Sequence, residues 1–362
     1  MKYHQMKTEF ACGIDLHARQ MYMCVCDRAG NVYKRLNIRG NNLDFFSHQL
    51  EPYQGKITIA CESTFNWYFL ADYCEREGYE FVIGHALYMK HIHGGKAKND
   101  RIDAKKIADL LRVNLLPVAY AYPAEKRSVR DLMRRRGRFV KLRGELAGHL
   151  PILAHQYNLG FEGSGRKPED CNELLDKLED PYAKLNAEAD IYLLEAYNET
   201  IHKLELEIRR FARKEVGRTF KLLKSVPGCG DILALTLLYE IDTINRFDSV
   251  KDFASYARLI KCRAESAGKS YGFSGTKIGN AHLKWAFGEL AVYAVVHDEY
   301  IRCYFEGYLL KKYSRVKAYS CLAHKLGRGI YNILKRDQSF DYDKFFVGSK
   351  ASQTRSIVNP EI

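Results

Sequence analysis

This 362-residue chain lacks several features, and each absence narrows what it can do. None of its ten cysteines stands at C-x-x-C spacing, which excludes the usual zinc modules. Most of the thiols, Cys24 and Cys61 among them, sit in apolar runs, as reduced, buried cysteines of a cytosolic protein do. Long hydrophobic runs are also missing. The longest nearly apolar stretch, Ile232 to Ile241, is far short of a bilayer span. Met1 to Phe10 carries charge where a signal peptide has its apolar core. A cytoplasmic protein without membrane contact is expected. Glycine-rich phosphate loops are scarce: Gly94-Gly95-Lys96 is a poor candidate, which counts against a sugar-kinase or actin-type ATPase. Acids are outnumbered, 44 against 57 lysines and arginines, for a net charge of +13. That surplus points to a polyanionic partner, nucleic acid ahead of a membrane surface.

What is present suffices for two or three domains, with apolar residues at 46%. Phe10 to Ala18, Met21 to Asp27 and Val32 to Arg39 read as three strands in hairpin succession, followed by a helix, Leu43 to Leu50. A β-branched strand, Lys56 to Cys61, a helix, Thr64 to Glu77, and a strand, Glu80 to Ile83, come next. A polar loop, His91 to Lys98, leads to a helix that opens at Asp100. Three antiparallel strands followed by alternating helices and strands is the order of a ribonuclease-H-like α/β domain. There the first strand lies mid-sheet, and an acid on it faces the end of the fourth.

Four acids suit that frame. Asp15, inside the apolar GIDLH, is costly unless paired or metal-bound. Glu62 follows the fourth strand. Asp100 and Asp103 are three residues apart and project from nearly one helix face. A solvated helix start, where acids are favoured, would account for that pair alone. Converging at one sheet edge, the four would form a cradle for Mg2+, which takes oxygen ligands from carboxylates.

Ala124 to Leu150 concentrates positive charge in Arg134, Arg135, Arg136, Arg138, Lys141 and Arg143. Val129, Leu132, Phe139 and Leu146 keep a helical rhythm, yet Arg136 and Arg143 fall on the same stripe. A helix lying along a phosphate backbone has that pattern; so has a solvated basic face. Gly160 to Pro181 reads as a polar linker. Leu194, Tyr197, Ile201, Leu204, Ile208 and Phe211 then form a seam for a coiled coil or antiparallel helix pair, formed with the basic helix or another protomer.

Leu222 to Ala234 (LLKSVPGCGDILA) matches a helix-hairpin-helix. In that pattern Gly228 and Gly230 allow close backbone approach, and helix amides are offered to a phosphate. A helix, Asp248 to Ile260, precedes a loop of small and basic residues, Lys261 to Asn280, holding Arg263, Lys269 and Lys277. The helix Ala281 to His297 buries Leu283, Phe287 and Leu290. Tyr304 to Lys335 reads as helical and basic, and Phe345 to Ile362 as a tail.

Together, GIDLH at Gly13 to His17, Glu62 in ACEST, KNDRIDA at Lys98 to Ala104, and VPGCG with the downstream ESAGK and GTKIGNAHLK carry a resemblance. The chain resembles the DEDD transposases of bacterial insertion sequences, described as bridge-RNA-guided recombinases. The resemblance implies a RuvC-like (ribonuclease-H fold) catalytic domain over 1–123 and a basic helix, linker and coiled-coil region over 124–216. It further implies a helical transposase domain with helix-hairpin-helix and serine loop over 217–345, and a tail over 346–362. The fold class is thus α/β plus all-α. Asp15, Glu62, Asp100 and Asp103 would bind metal, two Mg2+ or Mn2+ ions, and Ser266 would be the nucleophile, forming a phosphoserine link to DNA. Ala267 separates that serine from its glycine, which keeps Ser270 and Ser274 as alternatives. Implied partners are donor and target DNA, a structured bridge RNA, and further copies of the chain as dimer or tetramer, acting at the nucleoid. Two other readings use the same residues. One is a Holliday-junction-resolvase-like metal-dependent nuclease with water as nucleophile; the other is a non-catalytic nucleic-acid-binding scaffold.

Overall fold

A computed structural model describes residues 2–92, 99–215, 217–266, 269–274 and 278–346. The Gly94-Gly95-Lys96 loop, Lys98, Lys277 and the tail after Phe346 lie outside the described residues. The chain divides into two units, Met1–Glu125 and Lys126–Ile362.

In the first unit, alternation along the strands builds a sheet covered on both faces. Strands β1 (Phe10–Leu16), β2 (Gln20–Asp27), β3 (Val32–Arg39), β4 (Ile57–Glu62) and β5 (Glu80–Gly84) lie in the order β3-β2-β1-β4-β5. The first three are antiparallel, and β1, β4 and β5 run parallel, as the ribonuclease-H order predicts. Ile14, Met23, Ile59 and Ile83 turn to one face, against helices α1 (Leu43–Leu50) and α2 (Tyr68–Arg76). Ala11, Cys26, Ala60 and Val82 turn to the other, where a short helix α3 (Ala86–Ile92) adds Met89 and α4 (Asp100–Arg112) supplies Ile107, Ala108 and Leu111. One margin of the sheet is β3, bearing Lys34, Arg35 and Arg39. Alongside the other, Gly84 bridges to Val118 and the Ala119 amide donates to the Ile83 carbonyl at 2.7 Å.

Among the described residues the second unit is helical apart from one hairpin. Helices α5 (Ala124–Gln156) and α7 (Pro181–Glu215) pair antiparallel. Contacts between them run in opposite senses along the two chains: Arg136 with Glu205, Arg143 with Asn198, His149 with Asp190. The seam residues Leu194, Ile201 and Ile208 are buried, so the partner of the seam is the basic helix of the same chain. The expected linker is not featureless. It contains α6 (Pro168–Lys177), opened by Pro168 and first-turn acids, which buries Cys171 and Leu174 against Ala147 and Leu150 of α5.

Beyond it come α8 (Arg218–Lys224), α9 (Asp231–Ile241) and α10 (Val250–Tyr256). The expected loop that follows forms an antiparallel hairpin, β6 (Cys262–Ser266) with β7 (Lys269–Ser274). Helix α11 (Ala281–His297) is the centre of the core, with Leu283, Phe287 and Leu290 fully buried. The basic terminal segment is two helices, α12 (Glu299–Lys312) and α13 (Arg315–Arg336), parted where Tyr313 takes φ +51° and Ser314 caps the second. A short α14 (Tyr342–Phe346) buries Phe345 and Phe346, so the expected tail begins inside the core.

Candidate active site

The site starts from a close approach of α4 to β1. Odd-numbered β1 positions face α4, and position 13 has no side chain. A Cβ there would lie 2.2 Å from the Ala104 carbonyl oxygen and 2.3 Å from the Ala108 nitrogen. Ala104 and Ala108 occupy one helix face at four-residue spacing, and Asp100 is the preceding member of that row. Asp15 is the next member of the strand row. The helix also begins at a fixed point, because the Asn99 side chain accepts from the Arg101 amide at 3.0 Å and caps it. Register and cap together carry Asp100 to Asp15.

Between the two carboxylates stands His17, which sequence reasoning passed over as a site residue. Its Nε2 lies 3.2 Å from Asp15 Oδ2 and 3.4 Å from Asp100 Oδ1. Ligand atoms of Asp15, His17 and Asp100 all fall within 4.8 Å of one another. The Gln20 amide donates to Asp100 Oδ2 at 3.1 Å and receives Asn37 at 3.1 Å. The signal for His17 was its parity: two residues past Asp15 and just beyond the end of β1, it continues the face on which Asp15 lies.

Burial pushes the Asp15 carboxyl above its ordinary range; His17 opposes this, while the charges of Asp100 and Asp103 push the same way. A half-buried carboxylate repelled by two others is stabilised by a cation among them. Two carboxylates suit a hard divalent ion, whereas the imidazole nitrogen is a poor match for Mg2+ and better suited to holding the carboxylates by hydrogen bonds. The donor set therefore fits the ion that the acid pattern implies.

Asp103 and Glu62 stand outside the three-residue group. Asp103 Oδ1 receives Lys106 Nζ at 3.1 Å. Glu62 ends β4. The pairing of Ile14 with Cys61 makes it the next neighbour of Asp15 across the parallel strands. Since Ile14 and Cys61 share the α1/α2 side, Asp15 and Glu62 share the α4 side at one sheet edge.

Ser266 is the last residue of β6, its Cα opposite Lys269, which is exposed. Ser270 and Ser274 lie on β7, opposite Glu265 and Cys262, and Arg263 lies opposite Phe273.

The basic helix divides its arginines by face. Glu240 of α9, buried at 3% side-chain exposure, receives Arg134 Nε at 2.6 Å and Arg130 Nε at 3.1 Å. The Asn280 amide donates to it at 2.7 Å while the Asn280 carbonyl oxygen caps α11. Burial alone would raise the Glu240 pKa, but the Arg134 hydrogen bond, both guanidinium charges and Asn280 bring it down to about 2. Arg136 is held by Glu205, and Arg143 by Asn198. The stripe arginines expected to face phosphate thus meet acids and amides of their own chain. Arg135, Arg138 and Lys141 remain exposed.

Gly228 also differs from expectation. At φ +77°, a Cβ on it would lie 2.4 Å from the Ala294 nitrogen, so its close approach is to α11 of the same chain and not to a phosphate. Gly230 is exposed and caps α9, whose first-turn Asp231 pairs with Lys224 at 2.8 Å.

Residues 12–157 match the profile of a family described as a transposase of DEDD, IS110 type. Residues 220–306 match the transposase IS116/IS110/IS902 family. A transposase for insertion sequence element IS1111A from Coxiella burnetii is 24% identical over 191 residues, 52% of each chain. The chain spans about half the length of that curated relative. The first profile covers Asp15, Glu62, Asp100 and Asp103, and the second covers the hairpin with Ser266. With both profiles matched in separate stretches, the chain belongs to the IS110-type family of DEDD insertion-sequence transposases.

Proposed function

We propose that the chain cuts and rejoins DNA strands as an insertion-sequence transposase. Asp15, Glu62, Asp100 and Asp103 hold divalent ions, and the Ser266 hydroxyl is the nucleophile. The observation that carries this reading is the fixed approach of Asp100 to Asp15, which costs repulsion at rest and gains only when a cation binds. Bound Mg2+, or Mn2+ in its place, would neutralise charge on the non-bridging phosphate oxygens.

Asp15 and Asp100 bind through oxygens that His17 and Gln20 hold in place. Ser266 Oγ forms a bond to phosphorus as the bond to one DNA oxygen breaks. The hydroxyl proton passes to a neighbouring base, and the leaving oxygen is protonated to a free hydroxyl. The resulting phosphoserine conserves the energy of the broken link, so rejoining needs no ATP. Lys269 and Arg263, on the same hairpin, would balance developing charge. Arg135, Arg138 and Lys141 would contact phosphates without reading sequence. Helices α5 and α7 would have coiled-coil character, α8 and α9 a helix-hairpin-helix role, and the partners would be a structured RNA pairing with donor and target DNA and further copies of the chain. The net charge of +13 suits such company.

The test is a strand-cleavage assay on donor DNA with the RNA present. Asp15→Asn and Asp100→Asn abolish Mg2+-dependent cleavage, and Ser266→Ala abolishes the covalent adduct on a denaturing gel while binding persists. Full activity in either carboxylate variant rejects the metal site. Cleavage without any adduct leaves a metal-dependent nuclease of resolvase type.

A further inference from the structure

Helix α13 has two working faces. Ala318, Leu322, Leu326 and Ile330 form its buried stripe, packed into the core around α11. The neighbouring stripe, at helical spacing, carries His324, Lys325, Arg328 and Arg336. These line a cavity of about 460 Å³ bounded by α12, α13 and the segment leading into α14, within the size range of small-molecule sites.

Its chemistry is unusual for a solvated basic face. Lys325 Nζ lies 4.3 Å from the ring centroid of Tyr304 and 5.0 Å from that of Phe345, an ammonium held between rings. Asp341 is the acid in the wall, and Lys344 Nζ already neutralises it at 3.2 Å. Among the described residues no carboxylate pairs with Lys325, Arg328 or Arg336. Burial and the Arg328 charge hold the Lys325 pKa below its ordinary value, so an anion placed there relieves a standing cost. Aromatic surface accompanies the charge: Tyr308 is hydrogen-bonded to Tyr304 at 3.1 Å, and Phe340 packs on Phe345 with centroids 5.1 Å apart. Tyr308 and Phe340 are both half-buried, so each keeps accessible surface.

Unpaired cations beside open rings match a ligand that joins a planar ring to a phosphate. We infer that this cavity takes an unstacked nucleotide of a single-stranded nucleic acid, its base on Tyr308 and Phe340 and its phosphate on Lys325, Arg328 and Arg336. Stacking on aromatic side chains with arginine and lysine along the backbone is how unpaired bases are held. The inference does not rest on the carboxylate site.

The experiment photo-crosslinks the full chain to short single strands carrying 5-iodouridine or 5-iododeoxyuridine and maps the adducts by mass spectrometry. Adducts on Tyr308 or Phe340 are expected. Arg328 and Arg336 are exposed, so Arg328→Glu with Arg336→Glu leaves the fold intact; it lowers adduct yield and single-strand affinity by roughly tenfold or more. Tyr308→Ala lowers affinity on the same scale. Adducts confined to residues outside the cavity, or a charge-reversed double variant that crosslinks like wild type, overturn the inference. Uridine monophosphate that competes as well as the strand assigns the cavity to free nucleotides; failure to compete assigns it to a strand. The two sugars distinguish RNA from DNA.

Discussion

Gly13 and Ala104 touch backbone to backbone: a Cβ on residue 13 would stand 2.2 Å from the Ala104 carbonyl oxygen. Through this contact the strand row that ends in Asp15 and the helix row that starts at Asp100 meet. Gly13→Ala must lift α4 from the sheet. The expected cost is roughly 1–3 kcal/mol or more, the range for overpacking, read by urea denaturation. Cleavage should fall further than the loss of folded protein explains. Wild-type cleavage in Gly13→Ala would separate the contact from the site.

Asp15→Asn should remove cleavage and raise stability together. The folded state raises the Asp15 pKa through burial and through Asp100 and Asp103. Above that raised value, the ionised group therefore opposes folding. A neutral amide of the same shape relieves the cost, so without divalent ions the variant melts higher than wild type at pH 7. Added Mg2+ should stabilise wild type and leave the variant unmoved, since ligands stabilise only what they bind. A lower melting temperature in the variant would mean that Asp15 is held by a partner it needs.

His17→Ala tests whether the imidazole positions the two carboxylates. Outer partners of metal-binding groups commonly contribute roughly 10–100-fold. The expectation is a shift of that size in the Mg2+ concentration giving half-maximal cleavage, with maximal rate recovered at saturating ion. An unchanged Mg2+ curve would reduce His17 to a bystander.

Glu240 makes a prediction about pH. Its folded pKa, about 2, lies below the ordinary 4.5. The stabilisation is complete above 4.5, and it is lost as pH falls toward 2. Glu240→Gln leaves Arg130 and Arg134 facing a neutral amide and should cost roughly 3–5 kcal/mol near neutrality. Denaturation curves of the variant and wild type should converge near pH 2, where Glu240 itself is protonated. A gap that persists there would deny the ion pair.

Much of the first unit was legible because strand alternation and helix caps are local. The strands themselves and the helix start at Asp100 follow from such local patterns, while the strand order and the mid-sheet position of Asp15 came from matching their succession to a ribonuclease-H-like domain, because β1 pairs with β4 far along the chain. His17 was missed because parity puts it on the face of Asp15 but names no partner for it; its meaning depends on Asp100, on a helix far along the chain. The basic helix misled for a related reason. Arg134 and Arg136 look unsuited to packing until Glu240 and Glu205 appear opposite them. No local rule reveals which acids a distant helix will bring. The hairpin at Ser266 was hidden because small and basic residues resemble a loop, while its pairing is a matter of cross-strand register.

The margins of the five-stranded sheet bear on crowding. An eight-residue strand at a free border is an open template for a neighbour's backbone, and β3 is one. The exposed Arg35 and Arg39 make that docking costly, because a second copy would bring the same positive charges to the same line. On the far border, the Gly84–Val118 bridge and the Ala119 hydrogen bond already use part of the exposed backbone. Copies brought close together are thus discouraged from fusing sheet to sheet, and the strands carrying the acids remain a finished structure at high local density.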